Sequence, residues 1–344
     1  MYPHLRRLLF CLDPEVAHHL TLFVLRIGGS QPLFSILKSI YSAPSKPVQA
    51  FGLTFKNPVG LAAGYDKDAV AIKGLSALGF GHLEVGTVTP KPQPGNPKPR
   101  VFRLLEDGAV INRMGFPSRG ANFIEKRLLR LGLDTPVATR PASRNNVILG
   151  VNLGKNKETP LEEAAKDYIH LMNAFAPLAD YLTINISSPN TVGLRRLQGR
   201  ETLEDLLGQI YLERETWNVK CPILVKIAPD LSDEELEDAI GVILDKNMDG
   251  IVATNTTLAR EGLKSRYQRE TGGLSGGPLA VKSEAVLRQV VKLTNGKVPI
   301  ISVGGIMNPD DAKKRLALGA SLVQVYTGLI YRGPSLVREI INGL

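Results

Sequence analysis

Cysteine is nearly absent from this chain of 344 residues. Cys11 and Cys221 are the only two, far apart in sequence, which argues against a disulfide framework or a cysteine-based metal site and fits a reducing compartment. Both read as packing residues. Long hydrophobic runs are also missing. Arg6 and Arg7 precede an apolar run at residues 8–12, but Asp13-Pro14 cuts it short of the roughly 7 to 15 apolar residues of a signal h-region. The next run, residues 20–25, is bounded by His18-His19 and Arg26. Nothing approaches the roughly 20 apolar residues of a membrane-crossing helix, so neither export nor a bilayer span is expected. Clustered charge is scarce too. The 42 Lys and Arg exceed the 33 Asp and Glu by 9, a dispersed excess that suits anionic lipids or ligands. With no zinc-ligand spacing, aromatic-studded basic repeat or basic tail, a nucleic-acid partner is not expected.

What is present is an alternation. From residue 59 onward, eight short β-branched apolar runs occur at residues 59–64, 82–88, 147–153, 181–187, 222–228, 250–255, 299–304 and 322–327. Amphipathic stretches fall between them, including 162–178, 233–247 after Ser232, 282–293, and 310–318 after Asn308-Pro309. Runs this continuously apolar are buried on both faces, as in a parallel sheet closed on itself and ringed by helices. The predicted fold is a (β/α)8 TIM barrel with a small N-terminal helical extension. Such a barrel takes about 250 residues, leaving roughly 90 over. These fall in residues 1–50 and in an excursion over 90–146. The expected organisation is therefore a helical segment, 1–50, and a barrel, 51–344. In the front segment Leu20, Phe23, Val24 and Ile27 share one face, and Leu33, Phe34, Ile36, Leu37 and Ile40 follow. Periodicity favours a cap packed on the barrel over a helix pair lying on a membrane. Phe51-Gly52-Leu53-Thr54-Phe55 predicts a small hairpin at the barrel floor.

Barrel active sites lie at the C-terminal strand ends, so the residues there are read together. None of His4, His18, His19, His82 and His170 falls there, which disfavours a His-ligated metal or a His base. Asp66 and Asp230 do, but a single Asp in such a loop is about as often a cap, and the matched carboxylates of a glycosidase are missing. What remains is Asn112, Asn152, Asn185, Asn190 and Asn255 with Lys67 and Lys226. One Asn at a strand end is usually a turn residue; five on one face suit a flat heterocycle with alternating C=O and N–H groups. Lys226 ends a buried strand and needs an anion or a catalytic role, whereas Lys67 follows a loop glycine and could be solvated. Gly304-Gly305, Thr327-Gly328 and Ser275-Gly276-Gly277 either terminate elements or bring backbone N–H groups to a phosphate; occurring together, they favour the phosphate.

The motifs Ala62-Ala63-Gly64-Tyr65-Asp66-Lys67, Ile111-Asn112-Arg113-Met114-Gly115-Phe116, Asn185-Ile186-Ser187-Ser188-Pro189-Asn190-Thr191 and Val303-Gly304-Gly305-Ile306 resemble the dihydroorotate dehydrogenase family over essentially the whole chain. Ser188, where class 1 enzymes carry Cys, and the front segment with Asp13-Pro14-Glu15-Val16-Ala17-His18 resemble its class 2, quinone-dependent branch.

The resemblance implies FMN as cofactor, no metal, and Ser188 as the base that takes the C5 proton of dihydroorotate while hydride leaves C6 for the flavin, giving orotate for pyrimidine biosynthesis. It implies substrate contacts from Lys67, Asn112, Arg113, Met114, Gly115, Phe116, Asn185, Asn190, Asn255 and Thr256. FMN contacts would come from Ala63, Gly64, Lys67, Thr87, Asn152, Asn185, Lys226, Thr254, Gly276, Gly305, Tyr326 and Thr327, with Lys226 stabilising charge on the reduced flavin. His18, Arg103 and Tyr326 would lie near the inner end of a quinone tunnel in the front segment. That reverses the cap reading and implies peripheral attachment to a membrane. With no Arg- and Ser-rich leader, the expected place is the cytoplasmic face of a bacterial inner membrane, and the expected state a monomer.

Asp68 and Gly277 depart from the residues the family pattern leads one to expect, without touching the proton or hydride path. Two other classes of reading use part of the pattern. A non-redox phosphate-binding barrel shares the glycines but lacks an acid–base pair, and a membrane-associated scaffold leaves the Asn and Lys ring unexplained.

Overall fold

Each of the eight apolar runs supplies a parallel strand of one closed barrel in a computed structural model, which describes residues 2–132 and 147–344. The far end of the excursion predicted over 90–146 lies outside the described residues. Three helices come first, α1 (Tyr2–Cys11), α2 (Pro14–Gly28) and α3 (Leu33–Tyr41), followed by the hairpin β1 (Val48–Ala50) and β2 (Leu53–Phe55). Then come β3 (Val59–Leu61), α4 (Ile72–Ser76), β4 (His82–Val88), β5 (Val101–Leu104), β6 (Ala109–Asn112), α5 (Ala121–Arg130), β7 (Ile148–Leu153) and α6 (Ala164–Phe175). The second half runs β8 (Tyr181–Asn185), α7 (Arg200–Thr216), β9 (Ile223–Ile227), α8 (Asp233–Asp245), β10 (Gly250–Ala253), β11 (Gly273–Gly276), α9 (Ala280–Thr294), β12 (Ile300–Val303), α10 (Pro309–Ala317), β13 (Leu322–Val325), α11 (Thr327–Arg332) and α12 (Leu336–Gly343).

The barrel order is β3-β4-β7-β8-β9-β10-β12-β13, closed where β13 pairs with β3. Every residue of β4, β7, β8 and β9 is buried, as two-sided burial requires. The predicted hairpin is present and floors the barrel, with Phe51 and Phe55 packed against Tyr181 and His82. Ser232 forms the capping box of α8 with Glu235, and Asn308 caps α10, as their positions predict. The strands at the mouth end up to three residues sooner than the apolar runs do. Gly64, Ser187, Asn255 and Thr327 have left the ladder, because the backbone there turns into the mouth. The excursion adds β5 and β6, which with β11 form an antiparallel sheet that sets Asn112 opposite Gly273.

The front segment departs from a packed cap. Its inward residues are Glu15, Ala17, Leu22, Leu25 and Gly28, while Leu20, Phe23, Val24 and Ile27 all point outward and exposed. No residue of α3 is buried, and Leu33, Ile36 and Ile40 are exposed. Periodicity found the faces, but not which of them meets the barrel.

The inward face is firmly docked. Arg100 holds Glu15 with Nε 3.2 Å from both carboxylate oxygens and Nη2 3.0 Å from Oε1. Arg6 Nη1 donates to the Tyr331 carbonyl at 2.7 Å. Helix α2 rests directly on α4, where a Cβ added to Gly74 would lie 1.9 Å from the Leu25 carbonyl oxygen. Gly74→Ala is therefore expected to push α2 outward and destabilise the fold by about 1–3 kcal/mol in a denaturation titration; an unchanged unfolding midpoint would contradict this contact.

Candidate active site

The loops that leave the ladder line a pocket at the C-terminal end of the barrel. Its walls include Ala63, Gly64, Lys67, Thr87, Asn112, Met114, Gly115, Phe116, Asn185, Ser188, Asn190, Lys226, Thr254, Asn255, Thr256, Gly276, Gly305, Tyr326 and Thr327. Four of the five predicted amides are thus brought to one cavity. The fifth, Asn152, is fully buried below the wall, where Oδ1 accepts from Thr87 Oγ1 at 2.6 Å and from Asn185 Nδ2 at 2.9 Å. Arg113 lies on the expected segment but turns away, pairing with Glu270 at 2.6 Å and stacking on Phe102.

Lys226, near the end of β9, is 5% exposed and has no hydrogen-bond partner among the described residues. Burial pulls its pKa down, and among the described residues the charge opposing this is Glu84. An ammonium in this position needs an electron-rich ligand in the pocket. Lys67 is not simply solvated. It lines the pocket, donates to the Gly64 carbonyl, and has its pKa pushed down to about 8 by burial, Asp68 pulling the other way.

Ser188 follows β8 and is buried. Its Oγ accepts the Asn190 N–H at 3.2 Å, and its own proton has no acceptor among the described residues. Asn190 Nδ2 donates to Asn112 Oδ1 at 3.1 Å, joining the loop after β8 to β6. Arg195, which sequence reasoning missed, braces three loops. Its Nε reaches the Ser187 carbonyl at 3.0 Å, Nη2 the Thr256 carbonyl at 2.8 Å, and Nη1 Asp230 at 2.8 Å. Burial alone would raise the Asp230 pKa, but Lys282, Thr257, Arg195 and the Leu258 N–H outweigh it and hold it down at about 2. Asp230 is thus a brace. Asp66 is a cap, accepting from the Val70 and Ala71 N–H groups at 2.7 Å each. Both carboxylates are thus engaged by loop and helix-start donors, as a capping or turn Asp would be.

Gly305, with φ +75°, lies so close to α9 that a Cβ would meet Ala280 Cα at 2.3 Å. Close backbone packing alone therefore demands this glycine, and the same approach brings the loop after β12 to the pocket wall.

The predicted tunnel residues separate into two groups. His18 stacks edge-on against Tyr65 at 5.1 Å, and Tyr65 against Tyr326 at 5.8 Å, so a row of rings leads from α2 to the pocket wall. Burial pulls the His18 pKa down to about 3, leaving the imidazole neutral at physiological pH. Arg103 turns instead to the end of α1, donating to the Leu9 and Leu12 carbonyls and lying 4.7 Å from the Phe10 ring. Sequence reasoning also missed Tyr65. Of the buried tyrosines, Tyr168, Tyr181 and Tyr331 each donate a hydroxyl hydrogen bond, whereas Tyr65 donates none among the described residues. An aromatic hydroxyl in the otherwise small-residue turn Ala62-Ala63-Gly64 was the available signal.

Among the described residues, no group of three or more His, Cys, Asp or Glu side chains could hold a metal. Recognition in this pocket falls to amides, hydroxyls and two lysines, the equipment of a (β/α)8-barrel enzyme that binds a polar, planar, anionic ligand. Residues 46–344 match the family described as dihydroorotate dehydrogenase, and the chain belongs to that family. It is 48% identical over 349 residues to the dihydroorotate dehydrogenase (quinone) of Burkholderia thailandensis, covering 100% of this chain and 97% of that protein. It is 47% identical to that of Escherichia coli O1:K1, covering 99% of each. The crystal structure of the Eimeria tenella enzyme in complex with ferulenol superposes with a TM-score of 0.87 at 42% identity, over 96% of this chain and 90% of that one.

Proposed function

We propose that this protein oxidises dihydroorotate to orotate, uses FMN as its resident cofactor, and passes the electrons to a membrane quinone in pyrimidine biosynthesis. The observation that carries this is the placement of Ser188 and Lys226 on one pocket together with Asn112, Asn185, Asn190 and Asn255. The pocket fits FMN on two counts. Lys226 is a buried cation lacking a hydrogen-bond partner among the described residues, and Thr327, Gly276 and Gly305 bound the same cavity with small groups that leave room for a phosphate. When bound, FMN supplies the acceptor for hydride from the substrate and for onward transfer to quinone.

The chain's own residues supply positioning and proton transfer. Lys226, Ala63, Gly64, Thr87, Thr254, Gly276, Gly305, Tyr326 and Thr327 would hold the flavin, with Asn152 acting from below through Thr87 and Asn185. Lys67, Asn112, Asn190, Asn255 and Thr256 would hold the substrate, its carboxylate at Lys67. Ser188 Oγ accepts the C5 proton. A neutral hydroxyl is a weak base, so its own proton must move on as the other arrives. Thr191, three residues along the loop, has a buried Oγ1 without a partner among the described residues and would be the next site. Arg195 and Asp230 keep this loop closed so that bulk water does not compete.

Because the Lys67 pKa lies at about 8, its ammonium is fully present below that pH and lost above it. Orotate affinity is expected to be flat to about pH 7.5 and then to fall by up to about tenfold per unit. Titration calorimetry checks this, and constant affinity to pH 9.5 would remove Lys67 as the carboxylate partner.

Residues 1–50 form, in this proposal, the segment that rests on the membrane and admits the quinone, and 51–344 the catalytic barrel. No single helix among the described residues is long and apolar enough to cross a membrane, but α2 and α3 meet at 108° with their exposed apolar faces unpartnered. Arg6, Arg7, Arg26 and Lys38 lie on the same segment and suit an anionic lipid surface, here the cytoplasmic face of a bacterial inner membrane. The test is steady-state turnover of dihydroorotate with a quinone, NAD+ or fumarate as acceptor. Turnover with the quinone alone is expected; turnover only with NAD+ or fumarate would contradict the assignment.

A further inference from the structure

A carboxylate lies beneath the pocket in a place the mechanism does not use. Glu84, in the middle of β4, is 1% exposed. Its Oε1 accepts from Asn152 Nδ2 at 2.7 Å, and its Oε2 from Gln324 Nε2 at 2.8 Å and the Tyr181 hydroxyl at 3.2 Å. Three donors converging on one buried group are the environment of an ionised carboxylate. Among the described residues it is also the one charged group that favours the Lys226 ammonium, and the ladder sets Lys226 opposite Asn185, one hydrogen bond from the Asn152 amide that Glu84 holds. The strands flanking β9 are β8 and β10, whose residues carry no charge, and Lys67 is the other cation on the cavity wall.

An ionised carboxylate only accepts hydrogen bonds, so the amide that meets it must present its NH2. That fixes Asn152 with Oδ1 upward, where it receives Thr87 Oγ1 and Asn185 Nδ2. Asn185 is then fixed in turn. With its NH2 directed at Asn152 and Thr87, its Oδ1 faces Ser187 Oγ at 3.2 Å and Asn255 Nδ2 at 3.2 Å. Asn255, its NH2 so engaged, turns Oδ1 to the Thr256 N–H at 2.8 Å. One buried charge therefore dictates the orientation of three amides that reach from the barrel interior to the pocket wall.

We propose that Glu84 is a positioning residue, which sets the donor–acceptor polarity of the Asn152–Asn185–Asn255 relay and supplies the counter-charge of the Lys226 ammonium. This rests on the reading of the pocket as a flavin and orotate site, but half of it is independent of either ligand. Glu84→Gln keeps the shape, removes the charge and lets the side chain donate as well as accept, so that Asn152 is no longer forced.

The first test is an NMR titration of Lys226 in ligand-free protein labelled with [13C]lysine, assigned with Lys226→Met. The Lys226 resonance is expected to titrate about one to three pH units lower in Glu84→Gln than in the unsubstituted protein. Superimposable curves would overturn the counter-charge role, whether or not the protein binds flavin. The second test is orotate binding to FMN-loaded protein. Glu84→Gln is expected to weaken it about tenfold, with thermal unfolding recorded alongside. Unchanged orotate affinity, or a loss accompanied by an equal loss of FMN and a collapsed melting transition, would overturn the relay role. An unsubstituted protein that binds neither FMN nor orotate would instead sink the functional reading, leaving the titration to decide Glu84.

Discussion

Alanine in place of Ser188 is expected to slow flavin reduction by dihydroorotate about 10²- to 10⁴-fold, the usual contribution of a positioned general base. FMN content and orotate affinity should change little. The reason is local. Among the described residues Ser188 Oγ makes one hydrogen bond, from the Asn190 N–H, and its removal leaves that donor at the edge of the pocket rather than in the core. The loop itself is held by Arg195, which bonds the Ser187 carbonyl and so does not depend on the Ser188 side chain. Rapid-mixing absorbance at saturating dihydroorotate separates the two effects. Reduction within a few-fold of the unsubstituted rate would eliminate Ser188 as the base.

Methionine in place of Lys226 is expected to act on both the cofactor and the chemistry. It keeps the volume of the side chain while removing the cation that would meet the charge developing on the flavin. Losing one such preorganised group costs about 10²- to 10³-fold in rate. FMN affinity should fall as well, because the substitution also leaves the buried Glu84 without its cation beneath a pocket that takes an anionic ligand. Stopped-flow reduction of protein loaded with excess FMN measures the first effect, and fluorescence titration with FMN the second. A variant that holds FMN tightly and reduces it at the normal rate would exclude Lys226 from the site.

The barrel was legible because its strands are buried on both faces, and a run such as Ile148–Leu153 then has few ways to fold other than as an interior parallel strand. The strand-end rule carried most of the pocket from there, since Gly64, Ser188, Asn255 and Thr327 all stand just past a ladder. Direction was not legible. Asn152, read from its strand end, points into the barrel, and Arg113, implied by the resemblance, turns to Glu270, because spacing along the chain does not encode which way a side chain turns.

Glu84 and Gln324 were open to discovery, as polar residues inside wholly buried strands need a partner. Arg195 was not, because an arginine in a loop looks the same in sequence whether it is solvated or spans three loops. The front helices show the limit of periodicity. The pattern located an apolar face over Leu20, Phe23, Val24 and Ile27, and only the docking of Leu25 on Gly74 and of Glu15 on Arg100 reveals that this face looks away from the barrel.

The central claim is that this pocket joins a flavin to dihydroorotate on one side and to quinone on the other. An anaerobic visible absorption titration of the purified protein tests it most directly, with dihydroorotate added first and a soluble quinone second. A yellow protein that bleaches with dihydroorotate and regains its colour with quinone is the predicted result. A protein that stays colourless and unresponsive even after FMN is supplied would contradict the claim.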